Sequence, residues 1–474
     1  MSRMGARGNG AEYDCVVIGG GPAGSTTSTV LAQHGRRVLL LEREPFPRYH
    51  IGESLMPYTW FTFERLGVLD WFSRAACPKK YSVQFVSTTG AVSQPFYFFE
   101  TIKHECSTTW QVVRSDFDRM LLANARDKGV EVRQGVAVRD VVMQGGRAVG
   151  VTGDVKGGGR EEFRANAVVD ASGRDALLAG RMGWKRRDPD LNKIAIFTYF
   201  QGAVRDPGLD EGATTVAYIP DKGWFWYIPL PNDIVSVGVV AEADYLYRGT
   251  RDPQAIFFRE ADDCIWIRDH LRPAEHLGPV RVTGEFSYRS TEIGGDGFCL
   301  AGDAFSFLDP VFSTGVFLAL KSGEMAGDAI HRGLDAGGIT ASTFGDYRRD
   351  LDWALDQFRQ LVLSFYDQTF SFREFVRAHP DLHPRLVDAL VGNVFVDLRE
   401  LFDALGRFAG RTTHAEGSSD GACRQQAPAT PWSAGTGSAG EYSSTKPMPP
   451  ASSTSAGSTA TWKRPSTPSG EPPA

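Results

Sequence analysis

The stretch Tyr13-Asp-Cys-Val-Val-Ile18, Gly19-Gly-Gly21-Pro-Ala23-Gly24, Ser25 to His34, Val38-Leu-Leu-Leu-Glu42 decides the fold. An apolar run, a glycine-rich turn, a helical segment and a second apolar run read as strand, turn, helix and strand. In Gly19-x-Gly21-x-x-Gly24 the first glycine makes the turn, the second lets backbone approach a pyrophosphate, and the third permits helix–strand packing. The helix N-terminus then faces the anion. Glu42 closes the second strand, where a carboxylate can accept both ribose hydroxyls of an adenosine. This is the opening of a nucleotide-binding α/β layer.

Outward from that unit, about 81–110 and 190–290 alternate Val, Phe, Tyr and Thr at the period of sheet, and a helix is expected from Trp60 to Trp71. From Gly315 to Arg332 and from Thr343 to Phe408 the apolar spacing turns helical, interrupted by Pro380 and Pro384. The expected organisation is a Rossmann-like layer of the glutathione-reductase type with an inserted sheet (12–335), then a helical region (336–411). Residues 1–11 and the Ser/Thr/Gly/Pro-rich 412–474 carry too few aliphatic side chains to offset ordering entropy and are expected to be disordered.

The 51 basic and 57 acidic residues of this 474-residue chain leave a net charge of −6, without the basic excess of a nucleic-acid binder. No apolar run is long enough to span a bilayer and no signal-peptide core is apparent, so a cytoplasmic protein is expected. The six cysteines form no CxxC pair, and neither disulfides nor metal are expected. His379 and His383 have a metal-site spacing, but Pro380 argues against one helix presenting both rings.

Far downstream, Gly297-Phe-Cys-Leu-Ala-Gly302-Asp303 ends a strand where a carboxylate can meet the ribityl chain of a flavin. The segment resembles the second FAD motif of the large flavoprotein monooxygenase fold. Gln111-Val-Val-Arg114, opening a helix, resembles the element whose arginine contacts the cofactor in that fold. Val168-Val-Asp170-Ala-Ser-Gly173 resembles its strand-turn back to the FAD layer. The resemblance implies FAD, with Gly19, Gly21, Ala23, Gly24, Glu42, Arg43, Arg114, Asp303, Pro310 and Gly315 around it.

Two further segments make the chain similar to the flavin-dependent halogenases over roughly 12–375. Gly223-Trp224-Phe-Trp226-Tyr-Ile228-Pro229 matches their WxWxIP motif, in which an aromatic wall separates flavin from substrate. On a strand Trp224, Trp226 and Ile228 share one face, and Pro229 ends the ladder or sits at an edge. An aromatic sheet face packing a core has the same pattern. Cys77-Pro-Lys79-Lys80 lies where the family carries its essential lysine; on a strand only one of the pair can point inward, and the register with Phe85 favours Lys80 over Lys79. An ammonium in an apolar tunnel has a shifted pKa and neutral amine character.

The resemblance implies a two-component enzyme. FAD arrives as FADH2 from a separate flavin reductase, O2 gives the C4a-hydroperoxide, chloride or bromide attacks it, and Lys80 directs the hypohalite to an electron-rich aromatic. The N–H groups of Thr314 and Gly315, ahead of the helix Val316–Ile330, are the implied halide site, unless they hold flavin pyrimidine oxygens. Tryptophan halogenases have Glu where Phe312 stands, so the chain resembles the phenol- and pyrrole-type enzymes of antibiotic pathways, whose substrates are often tethered to an acyl or peptidyl carrier protein. Glu53 is nominated to assist Lys80; a structural carboxylate beneath the flavin is the alternative. An NAD(P)H-dependent aromatic hydroxylase, a prenyl-reductase-like flavoprotein and a non-catalytic flavin-binding partner protein are the rival readings.

Overall fold

In the computed structural model the opening unit is strand Tyr13–Ile18, helix Pro22–Gln33 and strand Val38–Glu42, the two strands parallel with Cys15 opposite Val38 and Ile18 opposite Leu41. The structure describes residues 12–410 except 221, 222, 285, 286 and 368, so the expectations for 1–11 and 412–474 lie outside it. The helix starts at Pro22, three residues before the sequence reading, because proline's fixed φ and missing N–H suit a first helical turn.

The first sheet runs Gly294–Gly295, Phe298–Leu300, Arg160–Asp170, Tyr13–Ile18, Val38–Glu42 and Glu131–Gln134, the last five parallel where they pair. Val16, Val17, Leu39, Leu40, Val168 and Val169 are all fully buried, as the near-continuous apolar runs of a two-sided parallel sheet require. This order brings three loops, after Ile18, Asp170 and Leu300, to one end of the sheet, which is where ligands of open α/β sheets bind.

The second sheet has seven strands in the order Glu275–Gly284, Lys193–Gln201, Ile234–Glu242, Gly223–Leu230, Thr214–Ile219, Ser82–Val86 and Phe96–Tyr97. Register fixes its faces: Tyr218 pairs Trp224, Trp226 pairs Gly238, Ile228 pairs Ser236, and Ser236 pairs Tyr199. These residues therefore share the face toward the first sheet. Phe225 and Tyr227 take the other face, against Phe257 and Trp266 of helices Pro253–Asp263 and Ile265–Leu271. Pro229 pairs only with Val235, beyond the last pair with Thr214–Ile219, so its missing N–H leaves that ladder intact.

The expected Trp60–Trp71 helix is two, Thr59–Leu66 and Leu69–Arg74, because Gly67 adopts φ 73 and ends the first. The C-terminal region is helical at Gly345–Tyr366, Phe372–Ala378, His383–Val391 and Arg399–Phe408, interrupted around Pro380 as its proline demands. All of this belongs to one compact unit within Met1–Ala429. Among the described residues no helix is long and apolar enough to cross a membrane.

Candidate active site

A cavity of about 610 Å³ lies between the two sheets, lined by the glycine turn (Gly19, Gly21, Ala23) and by Trp224, Trp226 and Ile228 of the second sheet. Gly19 adopts φ +100, and a Cβ on Gly24 would stand 2.0 Å from Gly19 O, so neither position admits a side chain. Glu42 lines the cavity while its carboxylate accepts the N–H groups of Gly20 (2.7 Å) and Glu44 (2.9 Å), fixing the turn and its own position. Arg43 and Arg114 also face the cavity. Arg43 pairs with Asp175, whereas Arg114 clamps Asp118 through two bonds (2.9 and 3.1 Å) and donates to Ile51 O and Gly52 O. Asp303 lines the cavity with a carboxylate that makes no hydrogen bond to any described residue, and burial pushes it up to about 6. A glycine cradle at one set of loops and a free carboxylate at another fit a dinucleotide laid across the end of the sheet.

Helix Thr314–Asp335 opens at the same cavity. Ser313, at φ 57, turns the chain into it, and Pro310 and Gly315 line the wall; Thr314 is buried behind them. The helix begins two residues earlier than the sequence suggested, placing the N–H groups of Thr314 and Gly315 in its first turn, without intrahelical partners. Their dipole field favours an anion by about 0.3–1 kcal/mol at an exposed end.

Hydrogen bonds hold the aromatic wall. Trp226 Nε1 donates to Ser236 Oγ (3.1 Å), and its ring lies over Gly238, where a Cβ would meet it at 2.3 Å. Trp224 Nε1 donates to Tyr366 Oη (2.9 Å), which donates to Asp309 (3.1 Å), which in turn accepts the N–H of Val311 (2.9 Å). The wall is thereby tied to the loop that leads into helix Thr314–Asp335. Phe312 of that loop packs edge-on against Phe365 and Phe372.

Lys79 and Lys80 form a two-residue strand paired with Thr109–Trp110; Lys79 points outward and Lys80 inward, 3% exposed. Lys80 Nζ donates to Ser54 Oγ (2.8 Å) and Leu55 O (3.2 Å) and lies 5.7 Å from the Phe98 ring centre. With no carboxylate partner among the described residues, desolvation pushes its pKa down to about 7. Ser54 and Thr214 line the cavity, but Lys80 does not: it holds Ser54 from behind the wall. Thr214 Oγ1 stands 2.8 Å from Ser54 Oγ and accepts from Gln111 Nε2 (2.9 Å).

Glu53 lines the cavity and is also 3% exposed. Its Oε1 accepts from Tyr199 Oη (2.7 Å), and its buried Oε2 has no hydrogen-bond partner among the described residues. Burial pushes the carboxyl up to about 7, opposed by the Tyr199 and Ser236 hydroxyls and the Arg114 guanidinium. The nomination of Glu53 as the group assisting Lys80 has no hydrogen bond behind it: the amine turns to Ser54 and the carboxyl to Tyr199.

Tyr199, Tyr366, Asp309, Thr214 and Gln111 were not singled out as site residues. Strand alternation places Tyr199 on the same face as Phe197, but only sheet order brings it opposite Ser236 and over Glu53. Tyr366 ends a 22-residue helix and nothing local marks it.

Residues 14–105 and 90–374 match the family model described as tryptophan halogenase. The chain belongs to the flavin-dependent halogenase family, and it is an enzyme of that class. It is 34% identical, over 81% of its length and 93% of the relative's, to the 1H-pyrrole-2-carbonyl-[peptidyl-carrier protein] brominase of Pseudoalteromonas luteoviolacea. To the corresponding chlorinase of Pseudomonas fluorescens it is 31% identical, over 83% and 92%. Among solved structures it resembles the flavin-dependent brominase Bmp2 (TM-score 0.75, 32% identity, 84% of this chain and 97% of that one) and the myxobacterial chondrochloren halogenase CndH (0.71, 32%, 84% and 97%).

Proposed function

We propose that the chain halogenates an electron-rich aromatic acyl group, pyrrole-like or phenolic, carried on an acyl or peptidyl carrier protein, using FADH2 from a separate flavin reductase. The relatives' carrier-bound pyrrole substrates support the substrate class, and Phe312, apolar against Phe365 and Phe372, supports a site unlike that for free tryptophan. Within this reading, 12–335 is the flavin layer with its inserted sheet and 336–411 the helical region that carries Tyr366.

Gly19, Gly21, Ala23, Gly24 and Glu42 take the adenosine and pyrophosphate half of FAD, Arg43 and Arg114 supply positive charge, and Asp303 takes ribityl hydroxyls. Pro310 and Gly315 face the ring system. Bound as FADH2, the cofactor with O2 and chloride or bromide supplies hypohalous acid. The Thr314 and Gly315 N–H groups hold the halide. Trp224 and Trp226 keep the organic substrate off the flavin, so that oxygen is not inserted into it. Lys80, near neutral at physiological pH, binds or captures the hypohalous acid that passes Ser54 and presents the halogen to the substrate.

The observation that carries the reading is a buried lysine without a carboxylate partner among the described residues, set behind the cavity wall. The test is product mass from the enzyme with FAD, NADH, a flavin reductase and bromide, on a pyrrole-2-carbonyl carrier protein and on free pyrroles and phenols. A bromine isotope doublet on the tethered substrate is expected; a +16 product refutes the reading in favour of a hydroxylase.

A further inference from the structure

Forming hypohalous acid consumes a proton: reduced flavin, O2, halide and one H+ give oxidised flavin, hypohalous acid and water. A proton must therefore enter a cavity walled by indole rings. Oxygen Oε2 of Glu53, a residue on the wall of that cavity, is buried and within hydrogen-bond geometry of no described residue. Its other oxygen is bonded to Tyr199 Oη at 2.7 Å, and Tyr199 Oη lies 3.1 Å from Tyr49 Oη. Tyr49 both lines the cavity and is 46% exposed, with the Arg281 guanidinium 4.1 Å from its ring centre.

We propose that Tyr49, Tyr199 and Glu53 form a proton path from solvent into the flavin cavity. The proposal rests on the halogenase reading given above. Protonated Glu53 gives its proton to the oxygen that leaves as water. The carboxylate takes a proton from Tyr199, Tyr199 takes one from Tyr49, and Tyr49 takes one from solvent at the mouth. Each O–H bond breaks as the next forms, so neither phenol is left charged, and rotation of the carboxyl and hydroxyls resets the path. The groups facing it are the Arg114 guanidinium and Ser236 hydroxyl at Glu53, and Arg281 and Arg114 at Tyr49. Burial holds the phenols above their ordinary range, which suits a relay by hydroxyl exchange rather than by phenolate. Glu53 touches the reacting space; Tyr199 and Tyr49 act through it.

The test uses the full chain with and without FAD. The Glu53 carboxyl is identified in the infrared by its loss in Glu53→Gln, and its exchange is followed after mixing with D2O. Tyr199→Phe and Tyr49→Phe are each expected to slow that exchange by about tenfold or more, and to slow hypobromous acid formation, trapped by an enolic diketone, by a similar factor with FAD affinity unchanged. Exchange at the wild-type rate in both variants overturns the path, and so does slowed exchange with an unaltered rate of hypobromous acid formation. Tyr49 is exposed and its phenylalanine variant keeps the ring, so it decides the matter even if Tyr199→Phe fails to fold. Wild-type enzyme that makes no hypobromous acid overturns the halogenase reading instead, while the exchange measurement still reports the path.

Discussion

Lys80 Nζ lies 2.8 Å from Ser54 Oγ, and Ser54, not Lys80, faces the flavin cavity. The amine is thus one hydroxyl away from the cavity assigned above to hypohalous acid formation, held by a serine and a backbone carbonyl that demand no positive charge. Burial then decides its protonation, at about 7 against an ordinary 10.5.

That burial is a cost to folding. The lysine binds a proton in the unfolded chain between about 7 and 10.5 but not in the folded one, so stability rises with pH across this window. Lys80→Met is expected to raise the midpoint of thermal unfolding at pH 7 and to flatten its rise toward alkaline pH, by a few kcal/mol at about 1.4 kcal/mol per tenfold. Calorimetry of both proteins from pH 6.5 to 9.5 checks the sign; a lower midpoint for the variant contradicts it.

Lys80 and Glu53 together set the expected pH profile. Below about 7 Lys80 becomes an ammonium and loses the electron pair its proposed role uses; above about 7 Glu53 loses the proton it is proposed to give. Halogenation is expected to peak narrowly near neutral pH. Glu53→Gln should lower the rate by about 10²–10⁴ and abolish the alkaline limb of what remains, which a rate profile at saturating reduced flavin measures.

Gly238 sets the tilt of the wall. A methyl at this position would lie 2.3 Å from the Trp226 ring and 2.5 Å from Phe197 Cβ, so Gly238→Ala must displace the indole. The cost is about 1–3 kcal/mol of stability. A larger share of reduced flavin should end as hydrogen peroxide. Unfolding curves and the ratio of peroxide to halogenated product report the two effects separately.

Glu42→Ala removes the acceptor of two loop N–H groups together with the ribose contact proposed for it. A loss of about 1–3 kcal/mol is expected, roughly tenfold to a hundredfold in FAD affinity. Titration of the apoprotein followed by flavin fluorescence measures it; an unchanged affinity places the adenosine elsewhere.

The glycine turn, Glu42, Arg114, Asp303 and the Trp224/Trp226 face were legible because each rests on local periodicity or on a short motif. That only one of Lys79 and Lys80 could point inward was legible from strand alternation, and it is Lys80 that the structure buries. Partners were not legible. Tyr199 meets Glu53 across 146 residues, and Trp224 meets Tyr366 across 142. Such contacts depend on sheet order and helix docking, which one chain's local pattern does not encode. The break at Gly67 was missed because the apolar spacing of Trp60–Trp71 continues through a glycine that the backbone uses to turn.

Lys80→Ala in the complete system of FAD, NADH, flavin reductase, bromide and carrier-bound pyrrole tests the central claim most directly, with product mass and peroxide measured together. The account predicts normal FAD binding and continued flavin reoxidation, with hydrogen peroxide and free hypobromous acid replacing brominated product. Brominated product at the wild-type rate would contradict it.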